Sequence, residues 1–218
     1  MKRFVWVILI LLLLMVAAGM WYQQQRFIRP FDPAFIRLSA LEIAQLPLAT
    51  RFDQPMGSEH GALTYNAQRF RLNRHLGDDL NGIGGLNSDL GDSVYASGFG
   101  RVVYAGEPDP SWGKMIILAH RVPDPENSAK VRVIQTVYAH LQEMFVRSDQ
   151  LIQRGEKIGT VGSADGRYLA HLHFEVRDGP YVNPGVGYAS SPLNRLSPES
   201  FILQHRGAEA TLLNPTPN

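Results

Sequence analysis

The sequence predicts a mainly β protein, an antiparallel sandwich or barrel, preceded by an apolar N-terminal helix and a short linker helix. Three observations carry this expectation. From Met56 onward the chain is a succession of short β-rich runs broken by Gly, Asp and Asn. Helical periodicity is almost absent after residue 50. The run His171-Leu172-His173-Phe174-Glu175-Val176 alternates strictly, so an extended strand would bury Leu172, Phe174 and Val176 and display His171, His173 and Glu175 on its other face.

The elements follow in order. Lys2 and Arg3 precede an unbroken apolar stretch from Phe4 to Tyr22. Its length lies in the range of roughly 17–25 residues that spans a bilayer, beyond the apolar core of about 7–15 residues typical of a secretory signal. Trp21 and Tyr22 suit an interfacial aromatic belt, and the basic pair would stay in the cytoplasm. Ala17-Ala18-Gly19 offers small residues to a signal peptidase, so a cleaved signal is the alternative; both export the rest of the chain. Gln23 to Pro33 reads as a linker. Asp32-Pro33 followed by Phe35, Ile36, Leu38, Leu41 and Ile43 predicts an N-cap, a proline at the first helical position and an amphipathic helix ending before Pro47.

Ser93 to Ala96 and Arg101 to Ala105 flank Gly98-Phe99-Gly100, a hairpin signal. Lys114 to Ala119 is a continuous apolar strand, Val122 to Lys130 a charged loop with two prolines, and Val131 to Leu141 a long strand. Ile158 to Val161 and Leu172 to Val176 add two more, and Gly207 to Asn218 is a small, polar tail. The resulting organisation is an anchor over 1–22, a linker with a helix over 23–55, a β domain over 56–200 and a tail over 201–218.

Composition narrows the chemistry. Lys and Arg number 21 against 20 Asp and Glu, a net charge of +1 that gives no electrostatic footprint for nucleic acid. Cysteine is absent, so any metal must be held by His and carboxylate. His75 and Asp79 are four residues apart with Gly77 between them, which argues for a loop where backbone and ligand come close. A turn-capping Asp79 and a surface His75 are the ordinary alternative. His171 and His173 share a strand face and could bind metal, as paired surface histidines need not. Glu175 on the same face could hold a ligating imidazole in its tautomer, or simply be an exposed strand residue. By alternation His140 shares a face with Tyr138 and Thr136. His60, His120 and His205 have no partner motif.

His75-x-Gly77-x-Asp79, Tyr138-Ala139-His140-Leu141 and His171-Leu172-His173 together resemble, in this order, the LytM/lysostaphin-type family of peptidoglycan zinc metalloendopeptidases. Ala96 to Gly106 is similar to that family's glycine-turn hairpin, Trp112 to Ile117 to the strand leading to its first conserved His position, Arg154 to Gly162 to the segment before the His-x-His strand, and Asn183-Pro184 to its terminator. The resemblance covers Arg69 to Pro184. It implies a LytM-like half-barrel of the duplicated hybrid motif type, with one Zn²⁺ on His75, Asp79 and His173, and with His140 and His171 as non-ligand catalytic histidines. Some relatives carry degenerate sites and act only as amidase activators; here every position is filled. No His-Glu-x-x-His helix is present, so a thermolysin-like site is excluded. Two departures stand out: the loop Val122 to Lys130 is long, and Tyr65 and Phe70 compete for the aromatic position before the first ligand. Glycine-rich hairpins around Gly98 and Gly155 also resemble the half-barrels of a phosphocarrier or a biotinyl/lipoyl-like module, a reading that leaves His75 and Asp79 unexplained and places no lysine at a hairpin tip.

The resemblance implies an endopeptidase for peptide cross-links of peptidoglycan, with a non-catalytic regulator as the alternative. An anchor with a short spacer, and no additional wall-binding domain, favour D,D-endopeptidase action in a wall layer near the membrane, with the domain in the periplasm or otherwise outside the cytoplasm.

Overall fold

A computed structural model describes residues 14–18, 20, 36–57, 64–124, 126–127 and 130–206. The chain divides into two units, Met1–Phe35 and Ile36–Asn218. In the first, the described residues 14–18 and 20 are helical. Among the described residues no helix is long and apolar enough to cross a membrane. Most of the expected span Phe4 to Tyr22, the linker before residue 36 and the tail after Arg206 lie outside the described residues.

The second unit begins with β1 (Ile36–Arg37) and α1 (Ala40–Gln45). The expected linker helix is thus shorter, and its start is corrected. Ile36 and Arg37 pair with β12 (Tyr181–Val182), and Ser39 is the N-cap. Ser39 and Glu42 exchange hydrogen bonds as a capping box, which satisfies donors that a helix start otherwise leaves open. The helix stops at Gln45, before Pro47, as the sequence predicts. Residues 36–55, expected as linker, contribute buried Leu38, Leu46, Ala49 and Phe52 to the core of this unit.

The main sheet has the order β2 (Thr64–Gln68), β3 (Asp78–Gly82), β11 (Leu172–Asp178), β7 (Val131–Leu141), β6 (Lys114–Pro123), β5 (Gly100–Gly106), β9 (Leu151–Ile152), with β13 (Arg195–Leu196) added on β11. A smaller sheet has the order β4 (Ser93–Tyr95), β10 (Lys157–Thr160), β8 (Glu143–Met144). All these pairings are antiparallel. The expected hairpin at Gly98 is overturned, because β4 pairs with β10 while β5 pairs with β6 and β9. The glycine serves packing instead: a Cβ on Gly98 would lie 2.5 Å from the Phe52 ring. Here the chain crosses between sheets, with the Ser97 amide donating to the Tyr138 hydroxyl at 2.8 Å.

The main sheet is covered on both faces, which is why β6 reads as a continuous apolar run. On one face Leu80, Val102, Ile116, Leu118, Tyr138, Phe174 and Val176 meet Val94 and Ile158 of the small sheet and Val161 just beyond it, with Phe52, Phe201 and Ile202 closing the core. Phe201 and Ile202 belong to α2 (Pro198–His205), a helix placed partly in the expected tail. Its signal was local: Ser197 caps it and Pro198 stands in the first turn. Burying two such side chains stabilises by about 1.5–3 kcal/mol each, enough to dock a helix of two turns. On the other face Met115, Ile117, Ala119, Val137 and Ala139 pack under Leu38, Leu46, Trp112 and Val182.

Candidate metal centre

Strand register brings the candidate residues together. Asp79 stands opposite His173 in the β3–β11 pair, and His173 stands opposite Ala139 in the β11–β7 pair. Opposed residues of a ladder share a face, so Asp79 and His173 emerge side by side. Phe174 and Val176 go to the apolar core as alternation predicts. His75 follows a tight 3₁₀ turn, Leu72–Arg74, and bridges to Tyr188. Gly77 lets this segment close onto β11, since a Cβ there would lie 2.9 Å from the Cε1 and Nε2 atoms of His173 and 2.7 Å from the Phe174 carbonyl.

The convergence is tight. His75 Nε2 lies 3.0 Å from His173 Nδ1 and 3.3 Å from Asp79 Oδ1, and His173 Nδ1 lies 3.0 Å from Asp79 Oδ1. Each atom in such a triangle is either a hydrogen-bond donor or an acceptor, and three corners cannot alternate between two states. One edge must therefore join two donors or two acceptors. A cation accepting a lone pair from all three atoms removes the conflict. Tetrahedral zinc ligands at about 2.0–2.1 Å from the ion stand about 3.3–3.4 Å apart, close to the observed edges. The residues present fit such an ion.

Electrostatics point the same way. Burial would raise the Asp79 carboxyl, but hydrogen bonds and charge from His173 and His75 hold it far below the usual carboxylate range. Burial would lower the His173 imidazole, yet Asp79 and Glu175 raise it to about 9. The metal-free cluster therefore demands a positive charge at its centre. His173 Nε2 meets Glu175 Oε1 at 3.1 Å, which leaves Nδ1 as the ring atom facing His75 and Asp79.

Two further histidines ring the cluster. His171 Nδ1 donates to the Leu169 carbonyl at 2.7 Å, so its Nε2, 3.7 Å from Asp79 Oδ1, is the nitrogen turned toward the cluster. His140 Nδ1 donates to the Trp112 carbonyl at 3.1 Å, which leaves Nε2 unprotonated. Alternation placed His140 on the Tyr138 face; the structure corrects this. His140 adopts φ +63°, a left-handed conformation costly for a residue with a side chain, and this breaks the pleat. Its ring then lies 4.8 Å from that of His171 and 5.5 Å from that of His173, centroid to centroid. Burial foremost, then His173 and His171, lower its pKa to about 3.

All five residues singled out from the sequence meet here. Sequence reasoning gave no site role to Trp112, Tyr168, Tyr188, Arg177 or Arg195. The Trp112 ring stacks near His140 and its Nε1 donates to the Gly185 carbonyl at 3.2 Å. Tyr168 lies 4.9 Å from the His140 ring, and Tyr188 lies 5.1 Å from that of His75. Extending the His171-His173-Glu175 alternation by one more step would have found Arg177. Tyr188 sits in a loop without periodicity, and nothing in the sequence marks it.

Comparison with known proteins adds the following. A model of peptidase family M23 matches residues 81–184, a segment that contains His140, His171 and His173 and begins after His75 and Asp79. The murein hydrolase activator NlpD of Escherichia coli (strain K12) is 41% identical over 95 residues, 43% of this chain and 22% of that protein. The chain thus spans about a fifth of that relative's length. The lipoprotein NlpD of Yersinia enterocolitica is 39% identical over 95 residues, 43% of this chain and 87% of that protein. Among solved structures, the antimicrobial peptidase lysostaphin from Staphylococcus simulans aligns with a TM-score of 0.47 at 20% identity, covering 77% of this chain and 61% of that one.

Proposed function

The chain belongs to peptidase family M23, and from that premise we propose that it is a zinc-dependent endopeptidase hydrolysing peptide cross-links of bacterial peptidoglycan. The observation that carries the reading is the triangle of His75 Nε2, Asp79 Oδ1 and His173 Nδ1, with edges of 3.0–3.3 Å, flanked by two histidines whose tautomers are fixed by carbonyls. His75, Asp79 and His173 would hold one Zn²⁺, which when bound would supply Lewis acidity to a scissile carbonyl and lower the pKa of water.

The remaining work falls to the protein. His140 and His171 turn Nε2 toward the centre, able to take a proton from the attacking water or, once protonated, to donate toward the oxygen on which charge develops. Trp112 backs His140, its carbonyl fixing which nitrogen stays free. Exposed Tyr168 and Tyr188 flank the centre as surfaces for a peptide substrate. A D,D-endopeptidase acting on directly cross-linked stem peptides is the specific form of the reading. The segment Phe4 to Tyr22 would anchor it in the cytoplasmic membrane, with residues after Gln23 outside the cytoplasm. Fractionation of cells, followed by N-terminal analysis, tests that placement: a mature protein starting at Met20 or beyond contradicts an uncleaved anchor.

A second reading, a non-catalytic activator of cell-wall hydrolases, is favoured by the name of the relative at 41% identity. Purified cell wall incubated with the full chain separates the two. An endopeptidase releases fragments alone and requires His140; an activator releases none until another hydrolase is added.

A further inference from the structure

We infer that Glu175 is a positioning residue for the metal centre: it fixes the ring of His173 and, through Arg177 and Arg195, ties that ring to the 183–190 segment packed against His75. The inference rests on the metal-centre reading above.

Glu175 is fully buried on the site face of β11. Its Oε1 accepts a hydrogen bond from His173 Nε2–H at 3.1 Å, while Oε2 accepts from Arg177 Nε at 2.6 Å and Arg195 Nε at 3.1 Å. A carboxylate removed from water is costly, and here two buried guanidinium groups and a ring N–H offset that cost. With its other oxygen held by two guanidinium donors, Glu175 faces His173 as an acceptor for Nε2–H, which leaves Nδ1 as the ring atom toward His75 and Asp79.

The arginines carry this restraint further. Arg177 also donates to the carbonyls of Asn183 and, at 2.9 Å, Pro184. Arg195 lies against Gly185, where a Cβ would come within 2.7 Å of its Nη2. The same segment returns to the turn that carries His75: the Leu76 amide donates to the Gly187 carbonyl at 2.9 Å, the Ala189 amide to the Arg74 carbonyl at 3.0 Å, and Tyr188 bridges His75. His75 needs this support. Its Nδ1 is buried without a hydrogen-bond partner among the described residues, so no acceptor of its own orients the ring. One carboxylate thus restrains His173 directly and His75 by way of the loop.

The test compares wild-type full-length protein with Glu175→Met, Glu175→Gln and Arg195→Met. Folding is checked by near-ultraviolet circular dichroism, and Zn²⁺ affinity is measured by competition with a chromophoric chelator. Glu175→Met should weaken zinc binding about 10- to 100-fold. Arg195→Met, which does not touch a ligand, should weaken it by a smaller factor in the same direction. In zinc-loaded wild type a slowly exchanging imidazole N–H resonance should be visible by proton NMR, and Glu175→Met should remove it, an effect that loss of packing alone would not produce. Folded Met variants that bind zinc within about twofold of wild type overturn the inference. If Glu175→Met does not fold, Arg195→Met decides by the same criterion; Glu175→Gln keeps an oxygen that can accept from His173 Nε2–H and should lie nearer wild type. Absence of stoichiometric zinc in wild type itself overturns the metal-centre reading, a result distinct from wild-type binding with unaltered variants.

Discussion

Asp79 and His173 face each other across the β3–β11 ladder with Oδ1 and Nδ1 3.0 Å apart, although 94 residues separate them in the chain. Register alone creates this contact. A slip of one residue in β11 would turn His173 into the apolar core and Phe174 out of it, so the core that fixes the register also assembles the site.

Replacing His75, Asp79 or His173 by Ala is accordingly expected to remove most of one bound zinc per chain. Elemental analysis after zinc supplementation and dialysis checks this. Retention of full stoichiometry in the Asp79→Ala and His173→Ala proteins would remove both from the ligand set.

His140→Ala and His171→Ala should keep their zinc and their fold and lose about 10²–10⁴ in turnover, the usual worth of general acid–base help. Metal content and hydrolysis rate are measured on the same preparations. Loss of metal in either variant would make that histidine a ligand.

The sequence made the strands and the site legible to different degrees. Alternation in Leu172 to Val176 and the run Lys114 to Ala119 survive as β11 and β6, because burial on one or both faces writes itself directly into residue type. His140 was misplaced because a single left-handed backbone angle, φ +63°, reverses the face on which its ring lies, and no residue type announces it. The Gly98 turn was misread because glycine marks both tight turns and close packing; only the position of Phe52 tells which. Arg177 and Arg195 escaped notice since buried charge is normally excluded from strands, and only Glu175 makes it tolerable.

Residues 36–57 are part of the fold, and Phe52 tests this. Its ring is fully buried, edge-on to Phe201 at 4.9 Å and to His120 at 5.1 Å. Phe52→Ala should destabilise by about 3–5 kcal/mol in urea unfolding. A change under about 0.5 kcal/mol would mean that this segment is a linker after all.

His120 sets a pH dependence. Its Nδ1 donates to the Phe99 carbonyl at 2.8 Å and its Nε2 accepts from the Thr136 hydroxyl at 2.9 Å, which in turn accepts from Tyr138 at 3.0 Å. Complete burial, only partly offset by Phe99, lowers its pKa to about 4. The unfolded chain, with an ordinary value near 6.5, takes up the proton first as pH falls, so stability is lost between about pH 6.5 and 4. Between pH 6.5 and 5 wild type should lose up to about 2 kcal/mol more than His120→Asn, at about 1.4 kcal/mol per pH unit. Equal losses in urea titrations at the two pH values would show that His120 is not held neutral.

The most direct measurement uses purified muropeptide dimers joined by direct D-amino-acid cross-links, incubated with the zinc-loaded full chain and resolved by mass. Conversion of dimers to monomers, lost on chelation and in His140→Ala, is the predicted result. Dimers left unchanged by zinc-replete wild-type protein, beside cleaved pentaglycine, would move the scissile bond; unchanged dimers and unchanged pentaglycine together would contradict the endopeptidase.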